Sequence, residues 1–462
     1  MPPIIEPRVL RGFRDYPPAL MIPRERLMET ARQVYRSHGF APIDTPAIEL
    51  TEVLLAKVEA GAEITKQLYR FKDAGDRDVA LRFDLTVPLA RFVAQHAAEL
   101  GLPFKRYHLG TVWRGEAPQA GRFREFMQCD FDTIGTLSNA ADVEIAVVIN
   151  DLLTAVGFDR FEIRVNNRNI LNGLLTQLGL ADKTSVLLRS LDKLAKIGRD
   201  KVIAEMAAEA GVTPEQAGEV IALAETTGTN AAILDQLDVR FADNAAAKTG
   251  IAHLRQMVSV FETSGVPEGR LRVDLSICRG LDYYTGTVYE TFLLDKPEFG
   301  SVCSGGRYDN LAGCYTKQSL PGVGASLGLD RLLAAMEVMN LLPKTAAAAP
   351  VLVLMFAADR LGDYQRVAKM LRAAGINTEV YPEPKKLDKQ FQYAERRGHQ
   401  VALIAGADEF AKGVWKVKDL AKREEVTVSE AELVSAVQEV LRPRPTPPGP
   451  PLAGGEEISR PQ

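Results

Sequence analysis

FKRYHLGTVWRGEAPQAGRFREFMQCDFDTIG, residues 104–135, reads as two β-strands on either side of an eight-residue loop from Gly115 to Arg122. Side chains two apart share one face of a strand. Gln128 and Asp132 therefore project to the same side, about 13 Å apart at the backbone, and can grip opposite ends of one small polar ligand. Arg114 closes the first strand, Arg122 closes the loop, and Glu116 lies between them. Two arginines at the mouth of a hairpin suit a polyphosphate, because guanidinium holds phosphate oxygens in a bidentate fork. One such arginine alone would read as surface ion pairing. Arg114, Glu116, Arg122, Gln128 and Asp132 together read as a site.

Outward from this hairpin, short strand-like runs and Gly-rich turns fill 104–134 and 271–328 with no helix between them. Strands joined by tight turns pair antiparallel, so a largely antiparallel sheet is expected. In LRVDLSICRGLDYYTGTVYE (271–290), Leu271, Val273, Leu275 and Ile277 alternate along one buried face before Arg279-Gly280 breaks the strand. Gly280 and Gly286 bracket a carboxylate and two phenols, Asp282, Tyr283 and Tyr284, with Arg279 beside them. A fixed arginine next to a reacting phosphate can stabilise developing charge. GVGASLGLDRLLAAME (322–337) has the spacing G-x-G-x-x-x-G and is not the dinucleotide fingerprint. It reads as a strand feeding a helix, with glycines that let a flat base approach the backbone and Arg331 stacked on it. SGGRYD (304–309) brings Tyr308 to the same sheet.

The whole chain has 462 residues, 46% apolar and 25% charged, with a formal net charge of −4. Any nucleic-acid contact must then use a local basic patch. The longest apolar run, 346–358, has 13 residues and contains Pro350, against roughly 20 for a membrane helix. MPPIIEPR lacks the build of a signal peptide. The four cysteines form no C-x-x-C pair and the five histidines are scattered, so no structural zinc site is expected. These features point to a cytoplasmic multidomain enzyme.

Leu27, Ala31, Val34 and Tyr35 make a helix of 20–38, ended by His38-Gly39. FAPIDTPAIE (40–49) is extended, because each proline biases its predecessor away from helix. Residues 1–169 make the first part of a catalytic core, 170–265 a mainly helical insertion, and 266–342 the rest of the core. In the insertion, Thr213-Pro214-Glu215-Gln216 is a capped helix start. Beyond the PKTAAAAP linker, strands and helices alternate over 350–441, the mark of a separate α/β domain. Its last helix starts at Ser429-x-x-Glu432 and turns Leu433, Val437, Val440 and Leu441 inward. Between Lys385 and Glu424 it holds ten Lys/Arg against six Asp/Glu. Residues 443–462, with seven prolines, make a disordered tail.

Taken together, these segments resemble the class II aminoacyl-tRNA synthetases, and within them the histidyl-tRNA synthetase family. FAPIDTPAIE is similar to the class's first motif, the arginine-bearing hairpin to the second and GASLGLDRL to the third. RGLDYYTGTVYE and SGGRYD resemble the two segments that mark the histidine branch, and LRFDLTVPLARF (81–92) the segment that holds an α-amino group. The likeness runs from about residue 8 to 441. It implies an α+β fold: an antiparallel-sheet catalytic core with a helical insertion, followed by an anticodon-binding α/β domain.

The resemblance also implies roles. Asp84, Thr86 and Gln128 would hold the α-amino group of L-histidine, while Asp132 and Tyr284 contact its imidazole with Tyr283 in the adjoining wall. Arg114 and Arg279 would clamp the α-phosphate of ATP as the catalytic cations. Glu116 would face the adenine, Arg122 the distal phosphates, and Arg331 the adenine and γ-phosphate. Many bacterial members have Glu where this chain has Asp84 and Asp132, and an arginine facing the tRNA acceptor end where it has Ala117. The implied reaction is ATP-driven formation of histidyl-adenylate, with Mg²⁺ on the nucleotide and no protein metal ligands, then transfer to histidine tRNA. The implied assembly is a homodimer without membrane attachment. The alternative is the non-catalytic regulatory subunit of ATP phosphoribosyltransferase. It shares the core but usually lacks the last domain and has eroded ATP motifs, whereas Arg114, Arg122, Arg279 and Arg331 all stand here.

Overall fold

A computed structural model describes residues 4–57, 63–118, 121–277, 283–342 and 347–442. Arg279 and the Pro-rich stretch 443–462 lie outside the described residues. The described chain forms two compact units, one of residues 4–15 with Pro23–Leu342 and the other of Tyr16–Ile22 with 347–442.

The first unit holds β1 (Ala41–Pro42), β2 (Ile48–Leu50), β3 (Arg70–Lys72), β4 (Asp78–Leu81), β5 (Phe104–Trp113) and β6 (Glu125–Ile134). It continues with β7 (Phe161–Asn167), β8 (Leu271–Val273), β9 (Thr287–Leu293), β10 (Ser301–Tyr308) and β11 (Gly322–Gly328). Eight of these form one sheet in the order β1-β5-β6-β11-β10-β9-β7-β8, and β2-β4-β3 form a small second one. Pairing in the large sheet is parallel only at its two margins, β1 with β5 and β7 with β8. Every pairing between them is antiparallel, as the tight turns require.

One face of this sheet is apolar. Tyr107, Cys129, Phe131, Val323, Ala325 and Leu327 are buried on neighbouring strands. The helix Pro18–Ser37 packs against them, its Tyr35 ring 4.8 Å from Phe131 and its Tyr35 hydroxyl donating to Cys129 O at 2.9 Å. Gly39, at φ 79°, lets the chain turn out of that helix. The helix Asn139–Val156 is tied to β10 by a buried ion pair, in which Arg307 Nε donates to Asp142 at 3.0–3.1 Å. With helices on the apolar face, the polar residues at the alternate positions of β6, among them Gln128, Asp130 and Asp132, point to the other side.

Helices fill the chain from Arg168 to Thr263. Thr213 Oγ1 accepts from Gln216 N at 3.2 Å, and Gln216 Oε1 accepts from Thr213 N at 3.0 Å. That reciprocal cap contributes about 1 kcal/mol to the helix Pro214–Ala224.

The second unit is built on β12 (Val351–Val353), β13 (Thr378–Val380), β14 (Val401–Ile404), β15 (Val414–Asp419) and β16 (Glu424–Ser429). Their order is β13-β12-β14-β15-β16, with the first three parallel and the last two joined as an antiparallel hairpin. Helices Leu361–Ala373, Leu387–Arg397 and Leu433–Leu441 complete it, and Val351, Leu354, Tyr364, Leu371, Val401 and Trp415 sit in its core. Leu433 and Val437 of the last helix are fully buried, while Val440 and Leu441 pack at the margin.

Candidate active site

The register of four strands assembles the polar face. Asp132 of β6 lies opposite Arg106 of β5 and Gly324 of β11, Asp130 opposite His108 and Ser326, and Gln128 opposite Gly110 and Gly328. Ser304 and Gly306 of β10 extend the same rows. Residues directly opposite share a face, so Gln128, Asp130, Asp132, Ser304, Gly324 and Ser326 form the floor of one cavity, with Arg106 and His108 buried beside it. It has a volume of about 750 Å³ and is lined by Asp84, Thr86, Gln128, Asp132, Tyr283 and Tyr284, with Tyr308. A smaller pocket of about 210 Å³ adjoins it, lined by Arg114, Glu116, Arg122 and Arg331. Gln128, Arg114, Arg122 and Arg331 belong to both. Every candidate residue within the described chain therefore comes to one place.

The acidic end is closely held. Asp84 is buried just before the helix Thr86–Leu100, and its Oδ1 accepts from Val87 N at 3.1 Å. Tyr283 donates its hydroxyl to Asp84 Oδ2 at 3.2 Å and meets Tyr284 and Tyr308 edge-on, at 5.2 and 5.9 Å between ring centroids. Burial pushes the Asp84 carboxyl above its usual range, against the pull of the Val87 N–H and of Arg114. Asp132 accepts from the Tyr308 hydroxyl at 2.5 Å on Oδ1. Its Oδ2 lies 2.7 Å from Arg106 Nη2, a contact close enough for an ion pair but without the alignment of a hydrogen bond. Oδ2 therefore keeps its accepting capacity toward the cavity.

The basic end is arranged around one carboxylate. Glu116 stands 3.9 Å from Arg114 Nη1 and 3.9 Å from Arg122 Nη1. Arg114 is fixed by its Nε–H to Phe83 O at 2.9 Å and by the Phe126 ring, 5.2 Å from its guanidinium carbon. Arg331 donates to Ser301 O at 2.5 Å. Burial, then Arg122, lowers its pKa to about 10, so it stays charged at neutral pH while costing the free pocket energy. Arg114, Arg122 and Arg331 face Glu116 and Asp330, and Asp330 is already paired with Arg24, so the pocket is short of negative charge, which a phosphate chain would supply.

Several expectations need correction. β5 ends at Trp113 and β6 begins at Glu125, so the connection is longer than the eight residues from Gly115 to Arg122. The glycines of β11 do not clear room for a flat base as a set. A methyl on Gly324 would collide with the Asp132 carboxyl, and one on Gly322 with the Tyr308 ring. Those two make space for the cavity's own side chains, and only Gly328 lines the smaller pocket. Arg279 cannot be placed, since it lies outside the described residues. Asp130, Arg106 and Ser326 are site residues that the sequence reading passes over. Asp130 carried a usable signal, because it sits at the same strand parity as Gln128 and Asp132. Asp330, beyond β11, holds the site from behind: it pairs with Arg24 at 3.0 Å and accepts from Met127 N at 2.7 Å.

An antiparallel sheet whose polar face joins an acidic cavity to an arginine-lined pocket, followed by an α/β domain, defines a class II aminoacyl-tRNA synthetase. Residues 12–332 match the family described as histidyl-tRNA synthetase, and residues 351–440 match the anticodon binding domain family. A histidine–tRNA ligase of Rhodopirellula baltica is 56% identical over 440 residues, covering 94% of this chain and 99% of its own. The crystal structure of histidyl-tRNA synthetase from Nostoc sp. PCC 7120 superposes with a TM-score of 0.86 at 36% identity, over 95% of this chain and all of that one. A Bacillus halodurans structure titled ATP phosphoribosyltransferase regulatory subunit/histidyl-tRNA synthetase gives 0.69 at 22% identity, over 85% of this chain and 97% of its own, and shows the fold alone. The chain belongs to the histidyl-tRNA synthetase family.

Proposed function

We propose that this chain joins L-histidine to its tRNA through histidyl-adenylate, and that the two adjoining pockets are the amino-acid and ATP sites. The observation that carries this reading is their junction. Gln128 and Arg114 line both pockets, so a carboxylate bound at the acidic end meets an α-phosphate bound at the basic end. The carboxylate oxygen attacks the α-phosphorus, the bond to the bridging oxygen breaks, and pyrophosphate leaves. The terminal ribose hydroxyl of the tRNA then attacks the acyl carbon, and AMP leaves. Arg114, and Arg279 on the strength of the family resemblance, neutralise charge at the α-phosphate. Positioning and charge stabilisation supply most of the rate.

Asp84, Thr86 and Gln128 take the α-amino group, and Asp132 with Tyr284 takes the ring. A site that hydrogen-bonds both ring nitrogens rejects analogues lacking them by about 10⁴–10⁵. Glu116 faces the adenine, Arg122 the distal phosphates and Arg331 both. Magnesium would come with the nucleotide and neutralise the departing phosphates. Glu116 is a carboxylate lining this pocket, a hard oxygen donor of the kind such an ion takes. Amino-acid-dependent exchange of labelled pyrophosphate into ATP tests the reading across all twenty amino acids. Exchange with histidine alone is expected. Exchange with none would favour the regulatory paralogue, against which the full second unit and the arginines of the smaller pocket already weigh.

The second unit reads the anticodon in this proposal, through the surplus of Lys and Arg between Lys385 and Glu424. A chain ended at Leu342 should keep measurable histidine-dependent exchange while tRNA charging falls much further. Its charging should no longer depend on the anticodon. Undiminished discrimination among anticodon variants would remove the second unit from that role. The chain also acts as a homodimer in this reading, supported by the exposed apolar side chains Ile48 and Leu50 of β2 and Phe71 of β3. Sedimentation at micromolar concentration should give twice the chain mass. A stable active monomer would contradict it. Among the described residues no helix is long and apolar enough to cross a membrane.

A further inference from the structure

Between Gln128 and Asp132 on β6, Asp130 enters the floor of the larger cavity with 2% of its surface exposed. Its Oδ1 makes no hydrogen bond among the described residues. The charges that face it come from four directions. On β5 stand Arg106, whose Nη2 lies 3.9 Å from Asp130 Oδ2 but only 2.7 Å from Asp132 Oδ2, and His108. Asp132 follows on β6, and Ser326 lies opposite on β11. Asp84 and Arg82 approach from the segment before the helix Thr86–Leu100. The Tyr284 phenol also borders the cavity.

His108 does not add a positive charge, because burial, then Arg106 and Arg82, push its pKa down to about 3. Arg82 lies 3.7 Å from Asp44. The floor therefore sets Asp84, Asp130 and Asp132 against Arg106, which already leans toward Asp132. Burial, outweighing Arg106 and reinforced by Asp132, raises the Asp130 carboxyl to about 7.

We propose that Asp130 determines specificity as a third carboxylate of the amino-acid pocket, one that the positive α-ammonium group of the bound amino acid must neutralise. This rests on the reading of the cavity as the histidine site. Among the described residues Asp130 has only the Ser326 hydroxyl and an arginine 3.9 Å away to offset its burial. A buried carboxylate so incompletely paired is costly, and a cationic ligand removes that cost where a neutral one does not. Free, Asp130 carries a proton in about half of the molecules at pH 7, since its pKa is about 7. A bound cation lowers that pKa, so binding expels the proton, and affinity strengthens as pH rises through 7.

The full-length enzyme should therefore release up to about half a proton when L-histidine binds at pH 7. Calorimetry in two buffers of different ionisation enthalpy reads this directly. Asp130→Asn should abolish that share of the release, which also subtracts the contribution of histidine's own ring. It should raise the KM for histidine about 10- to 100-fold, as expected when a charged hydrogen-bond partner is lost, and leave the KM for ATP within about twofold. The preference for histidine over imidazolelactate, which carries a neutral hydroxyl in place of the ammonium group, should shrink by a similar factor. An unchanged KM for histidine and an unchanged proton count would overturn the proposal. Equal damage to both substrates with the proton count intact would overturn it too, by marking Asp130 as structural. Should the variant not fold, absence of proton release by the wild-type enzyme overturns it alone. A wild-type enzyme that exchanges pyrophosphate with no amino acid would overturn the reading of the cavity, and this proposal with it.

Discussion

Replacing Arg114 with alanine is expected to slow histidyl-adenylate formation by about 10²–10³, the usual loss when one transition-state donor is removed. The side chain is suited to that role because it is already immobilised. Its Nε–H is taken by Phe83 O and its plane is backed by Phe126, so it reaches the reacting phosphate without first losing rotamer freedom. Glu116, 3.9 Å away, is too far for a hydrogen bond and leaves the terminal nitrogens available. Lysine at this position should recover little, since it lacks the planar fork. The melting temperature should hardly move, because the side chain is partly exposed and Phe83 O can be rehydrated. Single-turnover adenylation within about threefold of wild type would take Arg114 out of the mechanism.

Gly324→Ala should be nearly as damaging, though it touches no substrate. A methyl at this position would collide with the Asp132 carboxyl and stand 2.6 Å from Phe131 O. The Phe131 O contact forces a small shift between β11 and β6, which resist it because β11 is hydrogen-bonded between β6 and β10. Asp132 must swing away, breaking its contacts with Tyr308 and Arg106 and, in the proposed function, losing its place at the ring of histidine. A displacement of about 1 Å in a site of this kind costs about 10² in rate. The loss should fall on the KM for histidine, with ATP binding preserved in the adjoining pocket. Gly313→Ala is the control, because a methyl there meets nothing within 4 Å. Wild-type KM values for Gly324→Ala would show that Asp132 does not hold the ring.

Alternation along a strand is enough to place Gln128 and Asp132 together, and the absence of helical spacing is enough to make the sheet antiparallel. The cross-strand partners are not recoverable in that way. Arg106 meets Asp132 only because the connection from β5 to β6 takes up all residues from Arg114 to Arg124, and loop length is not written in periodicity. Likewise Tyr308 reaches Asp132 because β10, β11 and β6 pair in one register. β7 hides for a different reason. Its Glu162 and Arg164 make a polar pair at 2.7 Å, and Arg164 also lines the cavity, so FEIRVNN looks like a surface segment although it lies within the sheet. β2, β3 and β4 are too short to show any period. Arg279 and its neighbours rest on motif likeness alone.

The division of labour between β6 and the loop before it bears on how such a chain can change over generations. Deleting one codon between Gln128 and Asp132 would put those two side chains on opposite faces of β6 and send one end of its polar row into the apolar layer, a change no compensating substitution nearby could repair. The connection from Gly115 to Phe123 is under less of this discipline, because most of its described residues pair with no strand. Away from Glu116 and Arg122, which line the smaller pocket, new side chains, including whatever stands at Ala117, can accumulate there while the floor stays fixed. The protein can thus drift in what it offers to a large partner at its rim while its grip on small substrates stays constant.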